Sequence, residues 1–504
     1  MPRTPFQLPA LKRPTTTLHS RFNSTMSTPQ TNGHPKGKFT PALRLDTING
    51  AVPNVQYAVR GELALRADKY LHKLHDHPKD HGLPFDRVVT ANIGNPQQAG
   101  LDQKPITFWR QVISLLEYPD LLDKHLEVAK QIYPVDAIER AKKLHAEIGS
   151  VGAYSQSKGV VTIRRRVAKF IEERDGYPSD PEHIFLTAGA SGGVASILGV
   201  ALHPGDGCLI PIPQYPLYTA TLAYLSATPL PYYLSEENNW SMSHDTILES
   251  VSKARQEGVP VKSLVIINPG NPTGACLDRK AMEAVIQLCY EEEILLLADE
   301  VYQANIFYPE QKPFVSFKKV LMGMPEEIAK SVELVSFHSI SKGMSGECGR
   351  RGGYFECVNI LPEVMDQIYK MASVSLCPPL TGQIGVDLLV SPPKPGDPSF
   401  SQWEEETQSI LANLKSRSAY MSDKFNSLPG MSCAIEEAKT RGKEPDVMYA
   451  LDLLDATGIC AVAGSGFGQV PGTYHIRVTA LCPGVEEYCG KIETFHKEFM
   501  EKWA

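Results

Sequence analysis

The sequence predicts a layered α/β protein, with a mostly parallel sheet between helices in a large domain and a smaller α+β domain following it. Two observations point to the sheet. From about residue 180 onward, short β-branched and aliphatic runs alternate with helical stretches, the order that builds a layered α/β domain. These runs are continuously apolar rather than alternating, as in parallel strands covered on both faces. A third observation separates the smaller domain: a proline-rich break at Ser391–Pro398 is followed by a long helical stretch from Phe400 to about Leu428 and then by short strand-like runs.

The chain has 504 residues, 42% hydrophobic and 21% charged, ordinary values for a globular protein with a sizeable core. The net charge of −7 and a pI near 6.1 argue against a broad basic face for nucleic acid and against adhesion to anionic membranes. The charge is uneven. Seven basic residues and no acidic ones precede Asp46, so the body beyond residue 45 holds 43 basic against 57 acidic residues, a net −14. An Arg-, Ser- and Thr-rich leader without acids and without an apolar core fits an organellar transit peptide better than a secretory signal; the alternative is a disordered tail. Transit points to the mitochondrial matrix, and Met26 could start a cytosolic form. The expected division is residues 1–45 leader, 46–104 contributing to the small domain, 105–398 large domain and 399–504 small domain.

The dense apolar stretches are short. Val194–Leu202 is the best longer candidate, against the roughly 20 residues a spanning helix needs. Ten cysteines include no Cys-x-x-Cys pair, and their spacing matches neither a disulfide framework nor a zinc site. Reduced thiols in the cytosol or mitochondrial matrix are the expectation. The 14 histidines show no His-Glu-x-x-His spacing, so no metal site is expected.

His183–Thr187 reads as a strand running into Ala188-Gly-Ala-Ser-Gly-Gly193 and an apolar stretch to Leu202. Gly207–Ile210 reads as a strand ended by Pro211 and Pro213. Ser263–Asn268 is a third, ended by Pro269-Gly270-Asn271-Pro272. Asp278–Glu292 reads as a helix capped by Asp278, with Ala281, Ala284, Val285, Leu288 and Cys289 on one face. Ile294–Ala298 is a strand ending on Asp299-Glu300, and Val332–Phe337 one ending on His338-Ser339. In such sheets ligands sit beyond the carboxyl ends of the strands, where these polar and Gly-rich segments lie.

Each segment alone has a plain reading. Lys342, in Ser339-Ile-Ser-Lys-Gly343, is either an exposed loop lysine or a desolvated amine able to form a Schiff base. Asp299 is either a cap or ion-pair carboxylate, or a group aimed at the sheet edge. Asn268–Gly274 can be a tight turn, and Ala188–Gly193 a helix N-terminus cradling phosphate. Taken in order, the Gly-rich loop, Asn-Pro-x-Gly turn, Asp-x-x-Tyr, Ser-x-Ser-Lys and Arg-Gly-Gly-Tyr resemble the fold-type I pyridoxal-phosphate aminotransferases. Ser336–Gly343, Gly346-Glu-Cys-Gly349, Arg351–Tyr354, Asn92-Ile-Gly94, Pro105–Phe108, Arg110-Gln-Val112 and Gly152–Gly159 narrow the likeness to the alanine aminotransferase branch, from about residue 50 to the C-terminus.

The resemblance implies a mostly parallel seven-stranded sheet, pyridoxal 5′-phosphate as cofactor, and a homodimer with composite sites. It assigns Lys342 to the cofactor's aldehyde and the α-proton, Asp299 to the pyridine nitrogen, Asn271 and Tyr302 to the ring's phenolic oxygen, and Tyr215 to the ring face. Ala190, Ser191, Ser339 and Arg351 would hold the phosphate, and Tyr154 would reach the neighbouring subunit's phosphate. Many relatives place this arginine eight residues after the lysine. Here Arg350 occupies that place and Arg351 the next, so both stay open. Arg477, in Tyr474–Thr479, matches the arginine that grips the substrate's α-carboxylate, with Gly94 beside it.

The expected activity is ping-pong transfer from L-alanine to 2-oxoglutarate, with glutamate:glyoxylate transamination as the alternative. A non-catalytic binding protein is a further reading, disfavoured because Lys342, Asp299 and Arg477 are all present. No Gly-x-Ser-x-Gly elbow supports an α/β hydrolase.

Overall fold

The computed structural model describes residues 42–55, 61–92, 94–429 and 435–503. Most of the leader, Met26 and Ile93 lie outside these residues. The chain divides into two units, Met1–Ile48 and Asn49–Ala504; the second contains every element discussed below.

Eleven strands are assigned among the described residues, β1 to β11: Val89–Thr90, Ile184–Thr187, Gly207–Ile212, Thr228–Tyr233, Val261–Ile267, Leu295–Asp299, Leu334–Ser339, Gly353–Val358, Ile459–Cys460, Val462–Ala463 and Ile476–Arg477. Seven form the central sheet in the order β2-β8-β7-β6-β5-β3-β4. All run parallel except β8, which pairs antiparallel with β2 and β7. Residues of β3, β7 and β8 are buried throughout, as continuous apolar runs require when helices cover both faces.

Two departures from expectation involve prolines. β3 does not stop at Pro211 but continues to Ile212. Its paired register with β5 ends at Leu209, and beyond that its register is with β4 alone, so the missing proline N–H falls where one flank carries no ladder. β4 carries Pro229 and Pro231, which hid it from sequence reading. As the edge strand it buries only Leu230 and Tyr232.

The helix Arg279–Glu292 starts where the cap was expected: the Ala281 N–H donates to Asp278 Oδ1 at 2.9 Å, a bond worth about 1 kcal/mol. The helix Ala190–Ala201 packs Gly193 against Phe355 and Phe337, where an added Cβ would lie 2.9 Å from Phe355. The long helix runs Phe400–Asn426. Beyond it, Met448, Tyr449, Tyr488, Cys489, Phe495 and Phe499 form a separate core with Ala91. A neighbouring cluster joins Leu63 and Ala67 to Leu451 and Leu454. β1 pairs parallel with β9 across Val89↔Ile459, so Leu63, Ala67 and the Val89–Ala91 stretch pack on elements beyond residue 440. Among the described residues no helix is long and apolar enough to cross a membrane.

Candidate active site

Four strand ends meet at one edge of the sheet. β2 ends at Thr187, and the chain turns through Gly189, φ +76°, into the Ala190–Ala201 helix. A Cβ on Gly189 would lie 2.5 Å from Arg351 Nη2, so glycine is needed both for its backbone and for space. Arg351 Nη2 donates to the Ala188 carbonyl at 3.0 Å and to Ser191 Oγ at 3.1 Å, and Nη1 to the Cys348 carbonyl at 3.1 Å. A guanidinium thus stands at a helix N-terminus, a ready anion cradle. Gly353 at the start of β8 lets the chain pass this terminus: a Cβ there would lie 2.8 Å from the Ala190 nitrogen. It pairs with Ser339 at the end of β7, and Ser339 Oγ accepts from the Ser341 N–H at 2.9 Å.

Of the two adjacent arginines, the structure turns only Arg351 to the cradle. Arg350 Nε donates to Glu347 Oε2 at 3.0 Å, and Glu347 also meets Arg110 at 2.9 Å.

Asp299, last residue of β6, is buried and accepts from the Tyr218 hydroxyl at 2.8 Å. Burial pushes its pKa up; the Tyr218 hydrogen bond, the Val301 N–H and the Lys342 charge oppose that. Among the described residues Asp299 has no salt-bridge partner within 4.0 Å, so a buried carboxylate stands ready for a cation.

After β5, Asn271 Nδ2 donates to the Tyr302 hydroxyl at 3.3 Å, and Asn271 Oδ1 accepts from Arg477 Nη1 at 3.5 Å. Arg477 Nη2 donates to the Asn92 carbonyl, and the guanidinium lies 5.1 Å from the Phe467 ring centroid. β11 carries Arg477 and pairs with β10, which fixes the arginine's root. Lys342 Nζ lies 5.7 Å from the Tyr302 ring centroid. A Cβ on Gly94 would come within 3.4 Å of that amine. Gly94, Tyr302, Lys342 and Arg477 line one cavity of about 240 Å³, closed on another side by Leu414 and Leu481.

The structure therefore brings together Gly94, Asn271, Tyr302, Lys342 and Arg477, and separately Ala190, Ser191, Ser339 and Arg351. Asp299 is joined to the first group by the Lys342 charge. Tyr215 is half-buried in the turn after β3, three residues before Tyr218. Tyr154 is 81% exposed and is not brought to this cavity within one chain. Sequence reading missed Tyr218, Phe467 and Glu347. Tyr218 and Phe467 stand among apolar or Gly-rich neighbours with no local motif, and Glu347 carries no signal of its own beyond its place in Gly346-Glu-Cys-Gly349. Among the described residues no group of three His, Cys, Asp or Glu side chains could hold a metal ion.

The donor set fits pyridoxal phosphate: an anion cradle, a buried carboxylate with no ion pair among the described residues, and an amine beside a guanidinium in one cavity. The comparisons agree. The family model for "Aminotransferase class I and II" matches residues 125–490. The chain is 47% identical, over 92% of its length and 90% of the relative's, to "Probable alanine aminotransferase, mitochondrial" of Dictyostelium discoideum. It is 48% identical, over 92% and 98%, to "Glutamate--glyoxylate aminotransferase 2" of Arabidopsis thaliana. Among solved structures, an alanine aminotransferase from Pyrococcus furiosus matches its fold with a TM-score of 0.67 at 24% identity, covering 89% of this chain and 99% of that one.

Proposed function

The chain belongs to the class I and II aminotransferases, and from that premise we propose that it is an alanine aminotransferase, exchanging amino groups between L-alanine and 2-oxoglutarate. The observation that carries the reading is the shared cavity of Lys342 and Arg477 beside Gly94, a base and a carboxylate grip with room for a small substrate between them.

Bound pyridoxal phosphate supplies an aldehyde that takes the amino group and a ring that delocalises the charge left at Cα. In this reading the residues do the following. Arg477 grips the α-carboxylate at two points and so orients the Cα–H bond toward Lys342. Asn271 Oδ1 holds Arg477. The Lys342 amine takes the α-proton and returns it at the other end of the reaction, general acid–base work that contributes typically 10²–10⁴-fold. Asp299, oriented by the Tyr218 hydroxyl, would face the ring nitrogen and favour its protonated form. Asn271 and Tyr302 would hold the ring's phenolic oxygen, and Tyr215 would lie against the ring. Ala190, Ser191, Ser339 and Arg351 hold the phosphate.

Tyr154, exposed in one chain, would serve the neighbouring subunit of a homodimer with composite sites. The division into a leader (1–45), a large domain (105–398) and a small domain built from 46–104 and 399–504 belongs to the same reading. So does residence in the mitochondrial matrix, supported by the mitochondrial relative and the basic leader, with a cytosolic form starting at Met26.

Glutamate:glyoxylate transamination is the second reading, favoured by the Arabidopsis relative. Rates with pyruvate and glyoxylate as acceptors, measured side by side with glutamate as donor, separate them. Pyruvate ahead supports the first reading, and glyoxylate far ahead overturns it.

A further inference from the structure

A ping-pong transaminase of this kind must accept two unlike donors in one cavity, a methyl side chain and a carboxylate side chain. Of the described residues lining the Lys342 cavity, only Lys342 and Arg477 are cations, and both are engaged in the proposed chemistry. A second carboxylate needs a third cation. Leu414 and Leu481 line this cavity and also an adjoining one of about 480 Å³, whose lining cations are Lys104 and Arg417.

Arg417 lies three residues after Leu414 in the Phe400–Asn426 helix, so the two side chains share a face. Its Nη1 donates to the Leu481 carbonyl at 3.0 Å. Leu481 in turn approaches Gly94, whose Cβ position lies 3.4 Å from Lys342 Nζ and 4.0 Å from Leu481 Cδ1. The guanidinium is therefore anchored on the residue that separates it from the reacting amine. Its fork already holds a carboxylate at two points, with Nη1 3.0 Å from Asp102 Oδ1 and Nη2 on Oδ2. The Arg417 side chain is 17% exposed and Asp102 48%. Lys104 is exposed, and a compact ammonium lacks the two-point grip.

We propose that Arg417 recognises the distal carboxylate of glutamate and 2-oxoglutarate, and that Asp102 is the internal carboxylate it exchanges for that of the substrate. The arrangement answers the two-donor requirement. With alanine bound, Arg417 keeps Asp102, so no cation is left buried and uncompensated. With glutamate bound, one carboxylate replaces another, and the more exposed Asp102 returns to water.

This inference rests on the transaminase reading, and the test separates the two. KM for glutamate and for alanine is measured in wild type, Arg417→Met, Arg417→Lys and Asp102→Asn. Arg417→Met should raise the glutamate:alanine KM ratio by about tenfold or more, the loss of a charge-assisted hydrogen bond. Arg417→Lys should recover part of it, and Asp102→Asn should shift the ratio the other way. Glutarate, a dicarboxylate with no amino group, should raise the Tm of wild type more than that of Arg417→Met. A ratio within about twofold of wild type in Arg417→Met, or equal rises in both KM values as a merely structural role would give, overturns the inference alone. A wild type unable to use either donor overturns the transaminase reading itself.

Discussion

Arg350 Nε donates to Glu347 Oε2 at 3.0 Å, and this contact decides which of two adjacent arginines faces the helix N-terminus. Glu347 is buried and is also held by Arg110 and by Gln97 Nε2 at 3.1 Å. The backbone then places Arg351 at φ +55°, with its guanidinium on Ser191. The expected outcome is asymmetric. Arg351→Ala should weaken pyridoxal phosphate binding to the apoprotein roughly 10- to 100-fold, the worth of a charged hydrogen-bond set. Arg350→Ala should change it by less than about threefold, since it makes no contact with the cradle. Fluorescence titration of the apoprotein measures both; equal losses would place the phosphate elsewhere.

Gly189 offers an independent check of the same cradle. Its φ of +76° and the 2.5 Å approach of a Cβ to Arg351 Nη2 make alanine both strained and obstructive there. Backbone strain of this kind costs about 1–3 kcal/mol. Gly189→Ala should lower cofactor affinity by more than Gly176→Ala, a positive-φ glycine with nothing within 4 Å of its Cβ. Comparable affinities in the two variants would remove Arg351 from the phosphate site.

Arg477→Lys keeps the charge but not the two-point grip. With Asn271 and Phe467 shaped around a planar guanidinium, kcat/KM for alanine should fall by about 100-fold. The visible absorbance of the bound cofactor should persist, because the proposed reading assigns this residue to substrate rather than cofactor. Unchanged kcat/KM would move the α-carboxylate to another cation.

Behind the site, Glu300 is buried with its Oε1 accepting from the Phe317 N–H at 2.7 Å. Burial pushes its pKa up to about 7. The folded state thus holds a proton that the unfolded chain releases nearer 4.5, so this group's contribution is full below that value and is lost as pH rises through 7. His338, also buried, is driven the other way, to about 3; its contribution is present above the ordinary histidine value and is lost as pH falls below it. Glu300→Gln should therefore flatten the fall in apoprotein stability between pH 5 and 8 by about 2 kcal/mol. Denaturant titrations at the two pH values test this, and an unaltered slope would mean that Glu300 is ionised throughout.

Much of this was legible in the sequence for physical reasons. Strands buried on both faces leave continuous apolar runs, so β5, β6 and β7 were visible, and the Asp278 cap announced its helix. The residues of the site sit at the ends of those runs, where polar and Gly-rich segments interrupt them. β4 was hidden because an edge strand tolerates Pro229 and Pro231. Tyr218 was hidden because a tyrosine in an apolar helix shows its hydroxyl's purpose only when Asp299, 81 residues away, is folded against it. The choice between Arg350 and Arg351 depended on Glu347 and Arg110, a pairing across 237 residues that no local pattern records.

The most direct measurement of the central claim is a half-reaction. Protein carrying pyridoxal phosphate is mixed with L-alanine in the absence of any 2-oxo acid acceptor. The account expects about one equivalent of pyruvate per subunit and then no more until 2-oxoglutarate is added, as ping-pong chemistry requires. Lys342→Ala should give none on that timescale. No pyruvate from the wild type, or continued pyruvate formation without an acceptor, would contradict it.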